Sequence, residues 1–390
     1  MKLMVLQENL NRGVSFVSRS VAARPNLPVL GNILLGTDEG RLKLTATNLE
    51  TGVHFWVGAK IEKEGSITVP ARIFSEFVSS LPKEKAEIEM VDNMLVVKCG
   101  AAEATFNVLS ATEFPPVPRF PKEKLFSLEK QLFLEAINKV SFAAATDEGR
   151  PTLTGVLLEI SEKEITFAAT DGYRLSVYKT EKPKAFKADE KETRFLIPAK
   201  TLLEVGRSMG EGKFLAGGNT AVKTKKNTEE KEEDVLFAKL GTGNQAVFAF
   251  GDCQVVTQLV GGEYPAYQKI IPETFETKIN IETEALTAAV RTAAIFARES
   301  ANIVKLNIEN EKLTVSANTP QVGTNKTTIE VKGKGSGEIA FNSRYLLDFL
   351  GAATGEEIVF ETSGPLTPGV FRLAKEKGYL HIIMPVRVQK

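Results

Sequence analysis

Residues Thr68 to Pro82 read TVPARIFSEFVSSLP, and the chain writes this arrangement three times. Around Arg194 it reads RFLIPAKTLLEVGRSMG, and from Glu338 it reads EIAFNSRYLLDFLGAATG. In each copy a short apolar strand runs into a three-residue turn with a basic third position: Pro70-Ala71-Arg72, Pro198-Ala199-Lys200 and Asn342-Ser343-Arg344. A helical pattern follows. It carries Ile73, Phe74, Phe77, Val78 and Leu81, then Leu202, Leu203 and Val205, then Tyr345, Leu346, Phe349 and Leu350. Spacings of three and four put such residues on one stripe of a helix. Copies at 72, 200 and 344 are spaced as whole domains, not as the roughly 20–50-residue units of a solenoid.

A chain of 390 residues is too long for one ordinary core, and the repeat divides it into three domains. Hydrophobic content of 43% and charged content of 25% are those of a soluble globular protein. No apolar run approaches the roughly 20 residues of a membrane span and no signal peptide opens the chain, so a cytoplasmic protein without membrane contact is expected. Cys99 and Cys253 each sit among strand residues and read as reduced thiols. With 49 basic and 49 acidic residues the net charge is zero, so any contact with nucleic acid must be local.

The first copy opens on a helical segment, Gln7 to Ala23, with Arg12 and Arg19 on one face and an end at Arg24-Pro25. Alternating strands follow, with hairpin signals at Asp38-Glu39-Gly40 and Asp92-Asn93. The second copy repeats this order from a helix over Leu128–Ala144, and the third from a helix over Thr283–Arg298. Each domain thus reads as two short helices and about eight strands, an α+β repeat with mainly antiparallel sheets. Glu113–Pro118 and Gly261–Pro265 read as linkers, giving domains over 1–119, 120–262 and 263–390. Lys223–Asp234, KTKKNTEEKEED, is a charge run without an apolar anchor and reads as a solvated loop between two strands.

Catalytic signals are missing. The two histidines, His54 and His381, lie inside strand patterns without an acidic or cysteine partner at ligand spacing. There is no P-loop, dinucleotide fingerprint or nucleophile elbow, and Asp171-Gly172 reads as a hairpin turn. Neither a cofactor nor a metal is expected. Two rival readings remain: an enzyme acting on nucleic acid, which needs a carboxylate cluster at strand ends, and a repeat-built scaffold, which needs no basic helices.

The chain resembles the bacterial β sliding clamps, the processivity subunits of DNA polymerase III, from end to end. The matching pieces are Arg24-Pro25 with Leu27-Pro28-Val29-Leu30-Gly31-Asn32, and Val69-Pro70-Ala71-Arg72. Ala169-Thr170-Asp171-Gly172-Tyr173-Arg174-Leu175, Glu263-Tyr264-Pro265 with Pro272, Phe341-Asn342 and Met384-Pro385-Val386-Arg387 complete the series. The resemblance implies a non-catalytic, head-to-tail homodimer whose six domains close a ring around duplex DNA, helices inside and strands outside. It implies phosphate-facing basic residues among Arg12, Arg19, Arg24, Arg72, Lys139, Arg150, Lys200, Arg207, Arg291, Arg298 and Arg344. Weak non-specific attraction suits a ring that slides.

The resemblance also implies a cleft for short linear peptides of the DNA polymerase III catalytic subunit, the clamp loader, other polymerases and mismatch-repair proteins. Carried over, its lining is Leu153, Thr170, Gly172, Tyr173, Arg174, Leu175, Pro265, Ile270, Asn342, Tyr345, Met384, Pro385, Val386 and Arg387. Aliphatic anchors and an adaptable methionine fit such a pocket. Phe106, Ile295 and Phe296 match the family's dimer interface. Where some relatives place basic residues beside that phenylalanine, this chain has Ala101, Ala102, Glu103 and Ala104.

Overall fold

A computed structural model describes residues 1–22, 24–121, 126–181, 193–209, 234–240, 244–299, 301–320 and 323–387. The expected loop Lys223–Asp234 therefore lies outside the described residues, Asp234 excepted. Six helices are described: α1 (Gln7–Ser18), α2 (Ala71–Ser80), α3 (Lys130–Val140), α4 (Ala199–Met209), α5 (Thr283–Ala297) and α6 (Ser343–Ala352). The described strands pair antiparallel in sheets of five, eight, nine and four. The chain packs as two compact units, one built on residues 1–130 with the strands between Val235 and Gln258, the other on α3 to α4 and everything after Leu259.

Each unit is held by one sheet that two repeats share. In the first, the strand Cys253–Gln258 of the central repeat pairs with Thr51–Val57 of the first, Thr257 opposite Thr51. In the second, Glu376–Ile383 of the last repeat pairs with Arg174–Glu181 of the central one, Ile383 opposite Arg174. Buried apolar residues line both partners, so a slip of one position would turn each strand's core face to solvent.

The threefold element forms with one change. No turn separates strand from helix, because the strands end at Pro70, Pro198 and Asn342 and the helices begin at the next residue. Proline has no N–H to contribute to a first turn, and its fixed φ suits the entry to a helix. Asn342 does the same task by accepting a bond from Arg344 N at 2.9 Å. The stripe on α2 is Ala71, Phe74 and Val78; Ile73 falls off it and is 61% exposed. Helix α1 stops at Ser18, short of the expected Ala23, because Ser20 N and Ala22 N turn back to Val17 O and Leu30 O. Gly13 lets α1 lie on the sheet: a Cβ there would come within 2.8 Å of Leu44.

The two linkers are packed straps. Val117 and Phe120 lie on Ala238, Val247 and Val256, and a Cβ on Gly52 would meet Val117 at 2.5 Å. Val260, Tyr264, Ile271 and Phe275 cover the corresponding cluster of Leu157, Leu175, Tyr267 and Ile382. Both cysteines are buried thiols outside any disulfide, and Cys99 Sγ donates to Pro82 O at 3.4 Å. His54, buried under the first strap, has Nδ1 at 2.9 Å from Thr45 Oγ1 and Nε2 at 3.0 Å from Pro118 O. A carbonyl only accepts, so Nε2 carries the proton and Nδ1 accepts from the threonine, which satisfies the neutral ring. Burial pushes its pKa down to about 4.

Because the folded pKa is depressed while the unfolded one stays near 6.5, the stabilisation is complete above about pH 6.5 and drains away as pH falls toward 4. We predict that the parent loses up to about 3 kcal/mol over that window through His54, and that His54→Gln removes this part of the loss. Urea midpoints at pH 7 and pH 4.5 measure it; parallel pH profiles for the two proteins would contradict the assignment.

Candidate partner-binding cleft

Asp171, Gly172 and Tyr173 form the turn between the strands Glu164–Thr170 and Arg174–Glu181. Asp171 Oδ1 accepts from the backbone of Tyr173 at 2.9 Å and of Arg174 at 3.0 Å, and Gly172 takes φ +90°. Thr170 Oγ1 donates across the turn to Arg174 O at 2.6 Å and accepts from Gly172 N at 3.0 Å. Glycine reaches this left-handed backbone without strain, and the short carboxylate supplies the bonds that a tight turn leaves open.

This turn presents Arg174, the centre of the site. Its Nε donates to Asp171 Oδ2 at 3.0 Å, Nη1 to Asp348 Oδ2 at 2.5 Å and Nη2 to Phe142 O at 2.6 Å. The guanidinium lies 4.6 Å over the Tyr345 ring and 5.5 Å from that of Phe142. A planar fork with five donors can meet acceptors in three directions while lying against aromatic rings; an ammonium cannot. Arg174 thus ties the central repeat's turn to α6 of the last repeat, and only 10% of its side chain is exposed. Burial raises the Tyr345 phenol, with Asp171 adding to it.

The rest of the expected lining sorts by depth. Met384 N donates to Tyr173 O at 2.8 Å and Val386 N to Ala340 O at 2.8 Å, which brings Met384, Pro385 and Val386 alongside the turn. Tyr173, Ile270 and Met384 are large apolar side chains that stand 58%, 45% and 38% exposed. Pro265 and Arg387 are exposed. Leu153 and Leu175 are core, and Asn342 acts as the helix cap. The residues that hold Arg174 were not legible: Asp348 sits on an exposed helix face like any solubilising acid, and Phe142 contributes only its carbonyl and ring.

Arg24, Arg72, Arg150, Lys200, Arg207 and Arg344 are all exposed. Arg72 is drawn to Glu76, 3.1 Å away, and acids stand likewise four residues after Lys200 and Arg344, at Glu204 and Asp348. Arg150 reaches the turn, its Nη1 3.1 Å from where a Cβ on Gly172 would stand. The expectation that Lys139 faces phosphate is overturned: it is 1% exposed and bound to Glu135 and Glu376. Phe106 lies buried against Phe74 and Phe77, both 5.5 Å away; Ile295 is 61% exposed and Phe296 half-buried. Phe106's strand, Ala102–Asn107, and the strand Gly323–Glu330 are sheet edges among the described residues.

Sequence models of the N-terminal, central and C-terminal domains of the DNA polymerase III β subunit match residues 1–118, 127–266 and 268–387 in order. The chain belongs to the β sliding clamp family. The β sliding clamp of Synechococcus elongatus is 31% identical over the full length of both chains. That of Staphylococcus aureus is 26% identical over 95% of this chain and 94% of its own. The Pseudomonas aeruginosa sliding clamp, solved bound to griselimycin, superposes with a TM-score of 0.88 at 27% identity, and the Thermotoga maritima β subunit with 0.85 at 27%, each covering both chains fully. The fold is the three-domain sliding clamp, a non-catalytic processivity factor of DNA replication. No helix among the described residues is long and apolar enough to cross a membrane.

Arg174→Lys should destabilise this clamp by about 1–3 kcal/mol, since a lysine leaves buried acceptors unmet. Arg150→Ala, at an exposed position, should change it by less than about 0.5 kcal/mol. Urea unfolding of both variants decides, and equal effects would remove Arg174 from the centre of the site.

Proposed function

We propose that two copies of this clamp, each with domains over 1–119, 120–262 and 263–390, close head to tail around duplex DNA in the cytoplasm, on the nucleoid. The observation that supports this is an unfinished pattern. Cys253–Gln258 pairs with Thr51–Val57 and Glu376–Ile383 with Arg174–Glu181. Ala102–Asn107, the counterpart of Cys253–Gln258 in the first repeat, and Gly323–Glu330, the counterpart of Thr51–Val57 in the last, both stand at sheet edges among the described residues. Pairing them in the common register sets Phe106 opposite Gly323 of the partner subunit and Glu103 opposite Lys326 of the partner subunit. That charge pair stands where some relatives carry basic residues, and pairing two bare edges removes a liability to aggregation.

Neutral overall charge with exposed arginines on helices fits a ring that holds DNA by topology and touches phosphates loosely. The expected consequence is retention on nicked circular DNA after loading by a clamp loader, and loss on linearising it. Glu103→Lys should weaken retention and Lys326→Glu should restore it in the double variant. Retention that survives linearisation, or a double variant no better than the single, would refute the ring or its register respectively.

The cleft at Tyr173, Ile270, Tyr345 and Met384 takes linear segments of the DNA polymerase III catalytic subunit, the clamp loader, other polymerases and mismatch-repair proteins, with apolar anchors seated beside the rigid Arg174 turn. Griselimycin, the ligand of the Pseudomonas aeruginosa clamp, is the probe. Met384→Ala with Pro385→Ala should cost more than about 1 kcal/mol of its affinity by calorimetry. An unchanged affinity would move the site elsewhere.

A further inference from the structure

The two junctions share one register over five residue pairs, Thr51–Phe55 with Cys253–Thr257 and Arg174–Tyr178 with Tyr379–Ile383, and the side chains gathered at one end of each differ in kind. In the first unit the junction beneath α1 is aromatic: Phe16 lies 5.3 Å from Phe55 and 6.3 Å from Phe250, a residue of the central repeat. In the second unit the counterpart of Phe16 is Lys139 and that of Phe55 is Tyr178, as the registers and the matching buried faces of α1 and α3 establish. The third place is taken by Glu376 of the last repeat, which is not the register counterpart of Phe250 but stands three residues before the paired Tyr379, next to the tight turn at that end of the sheet. Lys139 Nζ donates to Glu376 and to Glu135, 2.5 Å from each, and lies 4.9 Å from the Tyr178 ring and 5.4 Å from that of Tyr379.

The first unit shows that this fold closes with apolar residues there. Lys139 is buried while Glu376 and Glu135 keep 28% and 38% of their side chains exposed; such a pair is seldom worth more than the apolar set that replaces it, but removing the carboxylate from a buried ammonium is costly. What the charges supply is discrimination. A strand Glu376–Ile383 docked on Thr51–Val57 would put the Glu376 carboxylate against Phe16 and Phe55. A central-repeat hairpin docked on Arg174–Glu181 would put the Phe250 ring where the Lys139 ammonium has its carboxylate. Each wrong junction deprives Lys139 or Glu376 of its cross-repeat partner, Lys139 keeping only Glu135 of its own helix, while the correct junction supplies it.

We propose that Lys139 with Glu376, set against Phe16 with Phe250, is a pairing code that directs which repeat docks on which as the chain folds. Three similar domains on one chain make wrong docking the characteristic failure of folding, and an unpaired charge is an efficient way to reject it. The code is independent of DNA, partners and the cleft.

The test is refolding of the full chain from urea, scored as the fraction that elutes with the parent on size exclusion. Lys139→Phe with Glu376→Phe makes both junctions aromatic. It should keep or raise the urea midpoint yet lower the correctly folded fraction at least threefold, the remainder appearing as oligomers. Adding Phe16→Glu with Phe250→Lys moves the charges to the other junction, where Arg12 stands in the place of Glu135, and should bring the yield back. Parental yield from the first variant, failure of the fourfold variant to restore it, or a lowered midpoint with a proportionate loss of yield would overturn the code. Lys139→Met with Glu376→Leu, which fills the space with less bulk, replaces the phenylalanine pair if that proves insoluble.

Discussion

Antiparallel pairing between a strand of one repeat and a strand of the next is the constraint on which everything else here depends. A domain of two short helices and two small sheets leaves sheet edges open. An open edge exposes unpaired N–H and C=O groups that must be met by something. This chain meets them with itself, twice: Cys253–Gln258 on Thr51–Val57, and Glu376–Ile383 on Arg174–Glu181. The linkers then strap the joined sheets, and Gly52 is bare because Val117 occupies the space its side chain would need.

The cleft follows from the second of these joints. Because Met384 continues the joining strand and bonds to Tyr173 O, the last residues of the described chain lie beside the Asp171–Tyr173 turn. Arg174 then bridges that turn to α6 and Phe142. The site is therefore made of fixed parts: an apolar rim stands on a turn whose carboxylate, threonine and arginine are already committed to one another. Burial also decides the histidines. His381, enclosed beside Ser176 with its ring 5.0 Å from Phe349, has a pKa held well below the ordinary value, by burial first and by Arg174 second.

Much was legible in the residues alone. The threefold TVPAR-like segment and the turn residues Asp38-Glu39-Gly40, Asp92-Asn93 and Asp171-Gly172 act through local backbone preferences, so they announce themselves at short range. The resemblance points to Tyr173, Met384 and Tyr345, which the fold brings near the Asp171–Tyr173 turn. The errors share a cause. An isolated helical lysine such as Lys139 gives no sign in the sequence that Glu376, far off along the chain, closes over it. Ile73 fits the apolar spacing of α2 yet faces out, because spacing does not say which edge of a stripe meets solvent.

By itself, then, the sequence determined the repeat, the class of fold, the turns and the family to which the chain belongs, since periodicity, glycine and proline act between neighbours. Only the tertiary structure decided which side chains are spent on holding the molecule and which face outward. Arg174 and Arg150 look alike as letters. One is saturated by Asp171, Asp348 and Phe142 O, and the other is exposed at the rim. The difference lies in acceptors brought together from three distant segments, because a charge is buried only when folding delivers its partners.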